Sequence, residues 1–196
     1  MESGTGLRGQ NSCVGGGREL KAELLHQIVE ARRERQAIAV VTQLATGEQR
    51  IVTREEAAAD SIFDKAFRFD KSGVEQTADG EVFITVHNPP LRLVIIGAVL
   101  IAQGVIPMAE AAGYDVTVID PRGAFATGAR FPNVELKADW PEDVLPGIGF
   151  DARTAILLLT HDPKIDDPAL VIALRSKPFY IGALGSKKTQ AARVER

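Results

Sequence analysis

The sequence predicts an α/β protein, with a doubly wound, mainly parallel Rossmann-like sheet preceded by a small α+β unit. After residue 90, short and fully apolar segments alternate with helical ones, a pattern typical of parallel strands covered on both faces. Before residue 88, the hydrophobic pattern has helical spacing first and then the alternation of half-buried strands. The chain of 196 residues is 45% hydrophobic and 25% charged, which is the composition of a globular protein.

Residues 1–17 are expected to form a glycine-rich leader, since they contain six of the eighteen glycines. The GxGxxG spacing of Gly4, Gly6 and Gly9 has no strand before it and no helix close behind it, so we do not interpret it as a dinucleotide fingerprint. Cys13 in the same leader is a candidate thiolate nucleophile or an idle free thiol, and its glycine-rich setting favours the idle thiol.

Residues 18–87 are predicted to form the small α+β unit. Its helix over 18–35 is amphipathic, and Asp79-Gly80 is a pair typical of a tight hairpin turn. The expected elements are a helix over 18–35, strands over 37–44 and 49–53, a helix over 55–69, and strands over 74–78 and 81–87. A stiff linker, Asn88-Pro89-Pro90, ends the unit, because prolines continue neither a strand nor a helix well.

Residues 91–196 are predicted to form the Rossmann-like domain. Its elements are a strand over 93–96, a helix over 99–112, a strand over 116–119, an irregular stretch, a strand over 154–159, a helix over 168–175 and a strand over 178–181. Asp167 is expected to cap the helix that starts at Pro168, because proline suits the first helical position.

Composition excludes several classes of protein. The net charge of −3 provides no global basic field for nucleic acid. The apolar run over 93–109 contains Gln103 and Pro107, so it falls short of the roughly 20 clean residues of a membrane helix. A single cysteine rules out an internal disulfide and a CxxC-type zinc site, and with no signal sequence we expect a reducing cytoplasm.

A glycine turn at the end of the first Rossmann strand predicts a ligand site. Gly97 is placed to make the turn and Ala102 is small enough for helix packing, but Val99 stands where a second glycine would let the backbone approach a pyrophosphate. Asp120 follows 23 residues after Gly97, where an acid either binds ribose hydroxyls or caps an Asp-Pro turn. Arg122 is a candidate partner for a phosphate or carboxylate, or a solvated surface arginine.

Thr160, His161 and Asp162 follow a buried strand, where ligands of open α/β sheets bind. His161 is a candidate general acid or base, a donor to a ring system or a metal ligand, and the alternative is a histidine satisfied by loop carbonyls. We expect no metal, because the other two histidines, His26 and His87, lie in the first unit. The candidate catalytic residues are His161 and Asp162.

A glycine loop followed by a basic helix start predicts an anion site over 180–189. Free amides, the helix dipole and two lysines favour a phosphate or another anion, and residues 187–196 have a net charge of +3. A simple tight turn with surface lysines is the alternative. The residues proposed for the loop are Gly182, Gly185, Ser186 and Lys187.

Together these motifs resemble the xanthine dehydrogenase accessory family (XdhC/CoxI type). The likeness is carried by residues 81–90, by 118–122 with 125–127 and 130–132, by 159–163 with 166–170, and by 180–186 with Thr189. The segment around Cys13 is similar to the family's Cys-Gly-Gly segment. Two departures stand out: Leu100 replaces a histidine common in the family, and the family's earlier half is missing. Because members also continue beyond Arg196, we expect a shortened member.

The resemblance implies a role in molybdenum cofactor maturation as a chaperone rather than a free-standing catalyst. Such a protein binds molybdopterin, aids its sulfuration and hands it to a molybdenum hydroxylase apoprotein of the xanthine dehydrogenase type. A cysteine desulfurase is a further candidate partner, and a homodimer is left open. The residues expected to bind the cofactor are Gly97, Asp120, Arg122, Thr160, His161, Gly182, Gly185, Ser186 and Lys187. An NAD(P)-dependent oxidoreductase and a ligand-free regulatory module remain the alternatives.

Overall fold

A four-stranded antiparallel sheet and a five-stranded parallel sheet organise residues 22–195, which are the residues that the computed structural model describes. The chain divides into two units between Asn88 and Pro89, at the linker that the sequence predicts. The leader over 1–17, with Cys13, lies outside the described residues.

The first unit is a sheet with helices on both faces, in the strand order β2-β1-β4-β3. Ile28 of the first helix packs on one face of the sheet, and Phe63 and Phe67 of the third helix pack on the other. The elements are α1 (Ala22–Arg33), β1 (Ile38–Gln43), β2 (Gln49–Thr53), α2 (Arg54–Ala57), α3 (Ser61–Arg68), β3 (Gly73–Thr77) and β4 (Gly80–His87).

The single helix predicted over 55–69 is wrong, since the structure has two helices there. Thr53 and Glu56 form a capping box at the start of α2. Asp60 has an extended backbone and its carboxylate accepts the Ile62 amide at 2.8 Å. A new N-cap in the middle of a helical pattern starts a second helix, because the capping residue itself is not helical.

The second unit is a parallel sheet in the order β7-β6-β5-β8-β9, which confirms the Rossmann-like prediction. Its elements are β5 (Leu91–Ile96), α4 (Leu100–Ala111), β6 (Tyr114–Ile119), β7 (Glu135–Lys137), α5 (Pro141–Ile148), β8 (Thr154–Leu158), α6 (Pro163–Ser176), β9 (Tyr180–Ala183) and α7 (Lys187–Glu195). The first strand, β5, lies between β6 and β8, so the strand order reverses at the junction of β5 and β8. Ligands of such sheets bind at this switch point.

Helices cover both faces of the parallel sheet, which confirms the doubly wound arrangement. Leu93 and Ile95 of β5 belong to a core that includes Ala102 of α4. The alternate residues, including Ile96, belong to a second core with Leu145 of α5 and residues of α6. Neighbouring residues of one strand therefore serve opposite faces. None of the helices in residues 22–195 has the length and apolar character needed to cross a bilayer.

Three local predictions for this unit are wrong. The stretch expected to be irregular contains the short strand β7 and helix α5. Helix α6 begins at Pro163, with Asp162 as its cap, and Pro168 lies inside the helix. Asp162-Pro163 carries the same start signal as Asp167-Pro168, and the earlier pair sets the helix start. The last strand, β9, lies two residues later than predicted.

Candidate functional site

The loops that follow β5, β6 and β8 meet at the carboxyl end of the parallel sheet. Gly97 has a φ of +116°, and a Cβ added there would lie 2.8 Å from Thr160 Cγ2. Only a glycine fits this conformation and this approach between two loops. The structure thus brings Gly97 and Thr160 together at the switch point, while their contact with a cofactor stays a prediction.

Asp120 is fully buried and holds two of these loops together. Its Oδ2 accepts the Ala98 amide at 2.8 Å, and its oxygens also accept the amide, Nε and Nη2 of Arg122 at 2.8–2.9 Å. Burial would raise the pKa of this carboxyl, but these hydrogen bonds outweigh burial and hold it below the ordinary value. In the structure, Asp120 therefore caps the local backbone. A ribose contact stays a prediction, and both carboxylate oxygens already accept hydrogen bonds from protein donors.

Arg122 is fixed beside the switch point with its side chain one-third exposed. Its guanidinium lies 4.6 Å from the centre of the Phe125 ring. The hydrogen bond to Asp120 raises the pKa of Arg122, and the charges of Asp162 and Asp166 add to this effect. Arg122 therefore lies within electrostatic reach of the β8 loop, and it is neither a freely solvated nor a fully buried arginine.

Arg130 anchors the segment that follows Arg122, a role that the sequence did not indicate beyond its place in a motif. Its Nη1 donates to the carbonyls of Ala98 and Phe125 at 2.9 and 2.8 Å. Its guanidinium also lies 5.9 Å from the Phe125 ring. This arginine ties the β6 loop to the glycine turn.

Asp166 lies beside the Thr160–His161 turn, and the sequence did not indicate it as a candidate. It is fully buried, and it accepts Thr160 Oγ1 at 2.7 Å and the His161 amide at 3.0 Å. Burial raises the pKa of Asp166 above its ordinary value, against the opposing effect of the hydrogen bonds from Thr160 and His161 and the charge of Arg193. Nothing in the local pattern indicates this role, because it depends on how the turn folds back on α6.

His161 presents an exposed imidazole beyond the end of β8. Its φ is +62°, a left-handed conformation that non-glycine residues seldom adopt outside special sites. Among the described residues, no hydrogen-bond partner holds its ring, so loop carbonyls do not satisfy it. Asp162 caps α6 by accepting the Lys164 amide at 2.9 Å. Catalytic roles for His161 and Asp162 stay predictions.

The predicted anion loop is only partly a loop. Gly182 lies within β9, and a Cβ there would lie 2.7 Å from Leu157 Cδ2, so packing against the neighbouring strand explains this glycine. Ser186 Oγ accepts the Thr189 amide at 3.1 Å, which caps α7. Lys187 is exposed at the first position of α7, and Gly185 precedes this cap. Binding of an anion by Gly185, Ser186 and Lys187 stays a prediction.

Two further features bear on what the site holds. In residues 22–195 no group of three or more His, Cys, Asp or Glu side chains is placed to hold a metal ion. A cavity of about 410 Å³ lies in the first unit, where Gln43, Arg50 and Phe63 contribute to its lining. In open α/β sheets the ligand crevice lies outside the carboxyl ends of the strands, and in this chain the loops that follow β5, β6 and β8 border it.

Residues 93–196 match the family described as the XdhC Rossmann domain. The chain is 34% identical over 109 residues to "Molybdenum cofactor insertion chaperone PaoD" of Escherichia coli (strain K12), which covers 56% of this chain and 28% of the relative. It is 31% identical over 109 residues to a probable xanthine dehydrogenase subunit of Bacillus subtilis (strain 168), covering 54% of this chain and 32% of the relative. The chain thus spans less than a third of either relative.

A crystal structure described as a xanthine dehydrogenase from Bacillus halodurans has a similar fold. The TM-score is 0.65 at 19% identity, over 89% of this chain and 55% of that one. The family match covers more than half of the chain and contains every loop of the crevice. The chain therefore belongs to the XdhC family, and residues 93–196 form its Rossmann domain.

Proposed function

We propose that this chain binds the molybdenum cofactor and delivers it to a molybdenum hydroxylase of the xanthine dehydrogenase type. The observation that carries the proposal is the donor set at the switch point. Arg122 and His161 remain accessible there, while Asp120, the acid that a dinucleotide ribose would need, is buried and engaged by protein donors. The similarity to a cofactor insertion chaperone supports the same cargo.

The residues at the crevice fit a phosphorylated pterin in charge and polarity. Arg122 provides an accessible guanidinium, and Lys187 provides an exposed ammonium at the positive end of α7. Val99 caps α4 without a side-chain hydrogen bond, so no side chain competes for the amides of the first turn. We assign the phosphate to these cations and amides, and the polar edge of the ring to Thr160 and His161.

His161 is the residue that we propose exchanges a proton with the cargo. Its side chain is exposed and has no hydrogen-bond partner among the described residues, and imidazole is a common general acid or base in proteins. Asp162 supports it by capping α6 immediately after the turn. A cysteine desulfurase would supply the sulfur for sulfuration, and this exchange would take place in the cytoplasm. The bound cofactor would provide the molybdenum that the hydroxylase uses for its reaction.

An NAD(P)-dependent oxidoreductase is the second candidate, and the strand order favours it, because dinucleotides bind at the switch point of such sheets. Two observations weigh against it. Val99 packs against the core at the position of the second glycine, and Asp120 offers no free oxygen. A ligand-free regulatory module is the third candidate, and Leu100, 78% exposed at the start of α4, favours it.

The discriminating experiment mixes the purified chain with molybdenum cofactor released from a donor molybdoenzyme. After gel filtration, oxidation converts any bound pterin into a fluorescent product, and nicotinamide nucleotides are measured in the same fraction. We expect pterin in a stoichiometric amount and no nicotinamide nucleotide. The opposite result would establish the second candidate, and neither ligand would favour the third.

Two matched pairs of variants test the site itself. His161→Ala should reduce transfer of the cofactor to an apo-hydroxylase, whereas His26→Ala, at an exposed position in the first unit, should not. Lys187→Ala should weaken cofactor binding, and Lys71→Ala, also exposed and in the first unit, should not. Equal effects within each pair would remove His161 or Lys187 from the proposed site.

A further inference from the structure

We propose that Asp166 is a positioning residue that fixes the Thr160–His161 turn and that Arg193 of α7 holds Asp166 in place. The inference deepens the proposed function and rests on it for the role of His161. It makes the last helix part of the site, because the helix supplies the charge opposite the buried carboxylate.

The two carboxylate oxygens of Asp166 accept hydrogen bonds from consecutive residues of the turn. Oδ1 accepts Thr160 Oγ1 at 2.7 Å, and Oδ2 accepts the His161 amide at 3.0 Å. His161 has a left-handed backbone, a conformation that persists in non-glycine residues when the surrounding structure enforces it. The hydrogen bonds to Asp166 hold the backbone of this turn in place. The exposed His161 side chain extends from the same turn.

Capping of α6 does not explain Asp166. Asp162 is already the N-cap of that helix and accepts the Lys164 amide. Thr160 and His161, which donate to the Asp166 side chain, lie before the helix, in the loop that follows β8. The stability of α6 alone does not account for a fully buried carboxylate at this position, because burying a charge is costly unless it is paired.

Arg193 supplies the pairing charge from a different helix. Its side chain is 8% exposed, with Nη2 3.5 Å from Asp166 Oδ2 and Nε 3.4 Å from Asp167 Oδ1. Gln190, one turn earlier in α7, donates to the Ala183 carbonyl at 2.8 Å, which fastens the helix to the end of β9. Displacing α7 would leave Asp166 buried without its counter-charge, a situation that strongly disfavours the ionised form.

The first test needs no ligand and measures hydrogen exchange of the His161 amide. Asp166→Asn places an amide where the carboxylate accepted two donors, and we expect exchange at His161 to accelerate about tenfold or more, as for a lost bond to a charged acceptor. Asp143→Asn is the matched control, because it replaces a carboxylate in the first turn of another helix, α5, and leaves the side chains of Thr160, Asp166 and Arg193 unchanged. Unchanged exchange in a folded Asp166→Asn protein would overturn the proposal.

The second test is a double-mutant cycle on cofactor binding, using pterin fluorescence as the readout. If Asp166 acts through His161, Asp166→Asn should weaken binding in the wild-type chain and add little in the His161→Ala chain. Independent, additive losses would contradict a positioning role. Arg193→Lys, which keeps the charge, should retain more binding than Arg193→Gln, and equal losses would remove Arg193 from the proposal.

Should Asp166→Asn fail to fold, Thr160→Val is the second variant. It removes the hydroxyl that donates to Asp166 at 2.7 Å and accepts the Asp162 amide at 3.0 Å. It should still accelerate exchange at His161, and an unchanged rate would refute the proposed role of Asp166. Should the wild-type chain bind no cofactor, the proposed function fails, and the exchange measurement on the ligand-free chain still decides whether Asp166 fixes the turn.

Discussion

Replacing Gly97 with alanine should destabilise the five-stranded unit, because the added methyl group has neither the backbone conformation nor the space that it needs. The φ of +116° lies in a region that L residues rarely adopt. The new Cβ would lie 2.8 Å from Thr160 Cγ2 and 3.2 Å from the Thr160 amide nitrogen. The second of these contacts is with the backbone, so a side-chain rotation cannot relieve it.

The size of the effect follows from these two costs. A residue held in a sparsely populated backbone region costs about 1–3 kcal/mol, and forcing an extra methyl group into a packed site costs about 1–3 kcal/mol. We therefore expect Gly97→Ala to lower the free energy of unfolding by about 2–6 kcal/mol, a large share of the roughly 5–15 kcal/mol that stabilises a typical domain.

Gly104→Ala is the matched control. Gly104 is exposed in the middle of α4, and a Cβ there would have no neighbour within 4 Å. The same substitution should raise stability by about 0.5–1 kcal/mol, because alanine favours a helix over glycine. Opposite signs for two glycines seven residues apart would separate the local fit at Gly97 from a general effect of the substitution.

Urea unfolding followed by tryptophan fluorescence provides the assay. Trp140 is the single tryptophan of the sequence and lies at the start of α5, so its emission reports on the second unit. The unfolding midpoint should fall for Gly97→Ala and rise slightly for Gly104→Ala, with the slope unchanged. A midpoint for Gly97→Ala at or above the wild-type value would refute the reasoning about the turn.

Three further predictions follow from the described contacts. Because hydrogen bonds hold the pKa of Asp120 below its ordinary value, its contribution to stability is complete above about pH 4 and is lost as the pH falls through the lower folded pKa. The difference in unfolding free energy between wild type and Asp120→Asn should therefore stay constant from about pH 7 to 5 and shrink below about pH 4, and a constant difference down to pH 3 would contradict this assignment. Ser186→Ala should cost about 0.5–2 kcal/mol through the start of α7, seen as faster hydrogen exchange there, whereas Lys187→Ala should change stability by less than about 0.5 kcal/mol. Asp60→Ala should lower the thermal unfolding midpoint of the first unit, measured by circular dichroism, because α3 loses a cap worth about 1 kcal/mol; an unchanged midpoint would show that the cap is dispensable.

The strongest sequence signals predicted the second unit well. A continuous apolar run identified β5 because that strand is buried on both faces, and the long apolar helix α4 followed from the same segment. Strand β7 was missed because it has three residues, too few for a period to show. Helix α5 was missed because its sequence contains Pro141 and Pro146, and proline usually interrupts a helical pattern. The start of α6 was misplaced because two Asp-Pro pairs carry the same helix-start signal.

The part of the candidate site that lies directly after strand ends could be predicted from the sequence. Gly97 and His161 follow strands that are neighbours in a Rossmann sheet, so topology alone brings their loops together. Asp166 and Arg193 were beyond sequence reasoning, because their contact joins the first turn of one helix to the last turn of another. Gly182 was assigned to a loop because the predicted strand ended at Ile181. The structural reason for this glycine, the close approach of Leu157 from the neighbouring strand, exists only in the packed sheet.

We propose that the crevice at the carboxyl ends of β5, β6 and β8 binds the molybdenum cofactor through Arg122 and His161. The most direct measurement is the amount of pterin retained by the purified chain after exposure to released molybdenum cofactor, compared between wild type and Arg122→Ala, with His26→Ala as control. We predict about one pterin per chain in wild type and control and a clear loss in Arg122→Ala. Equal retention by all three, or retention of a nicotinamide nucleotide instead of a pterin, would contradict the account.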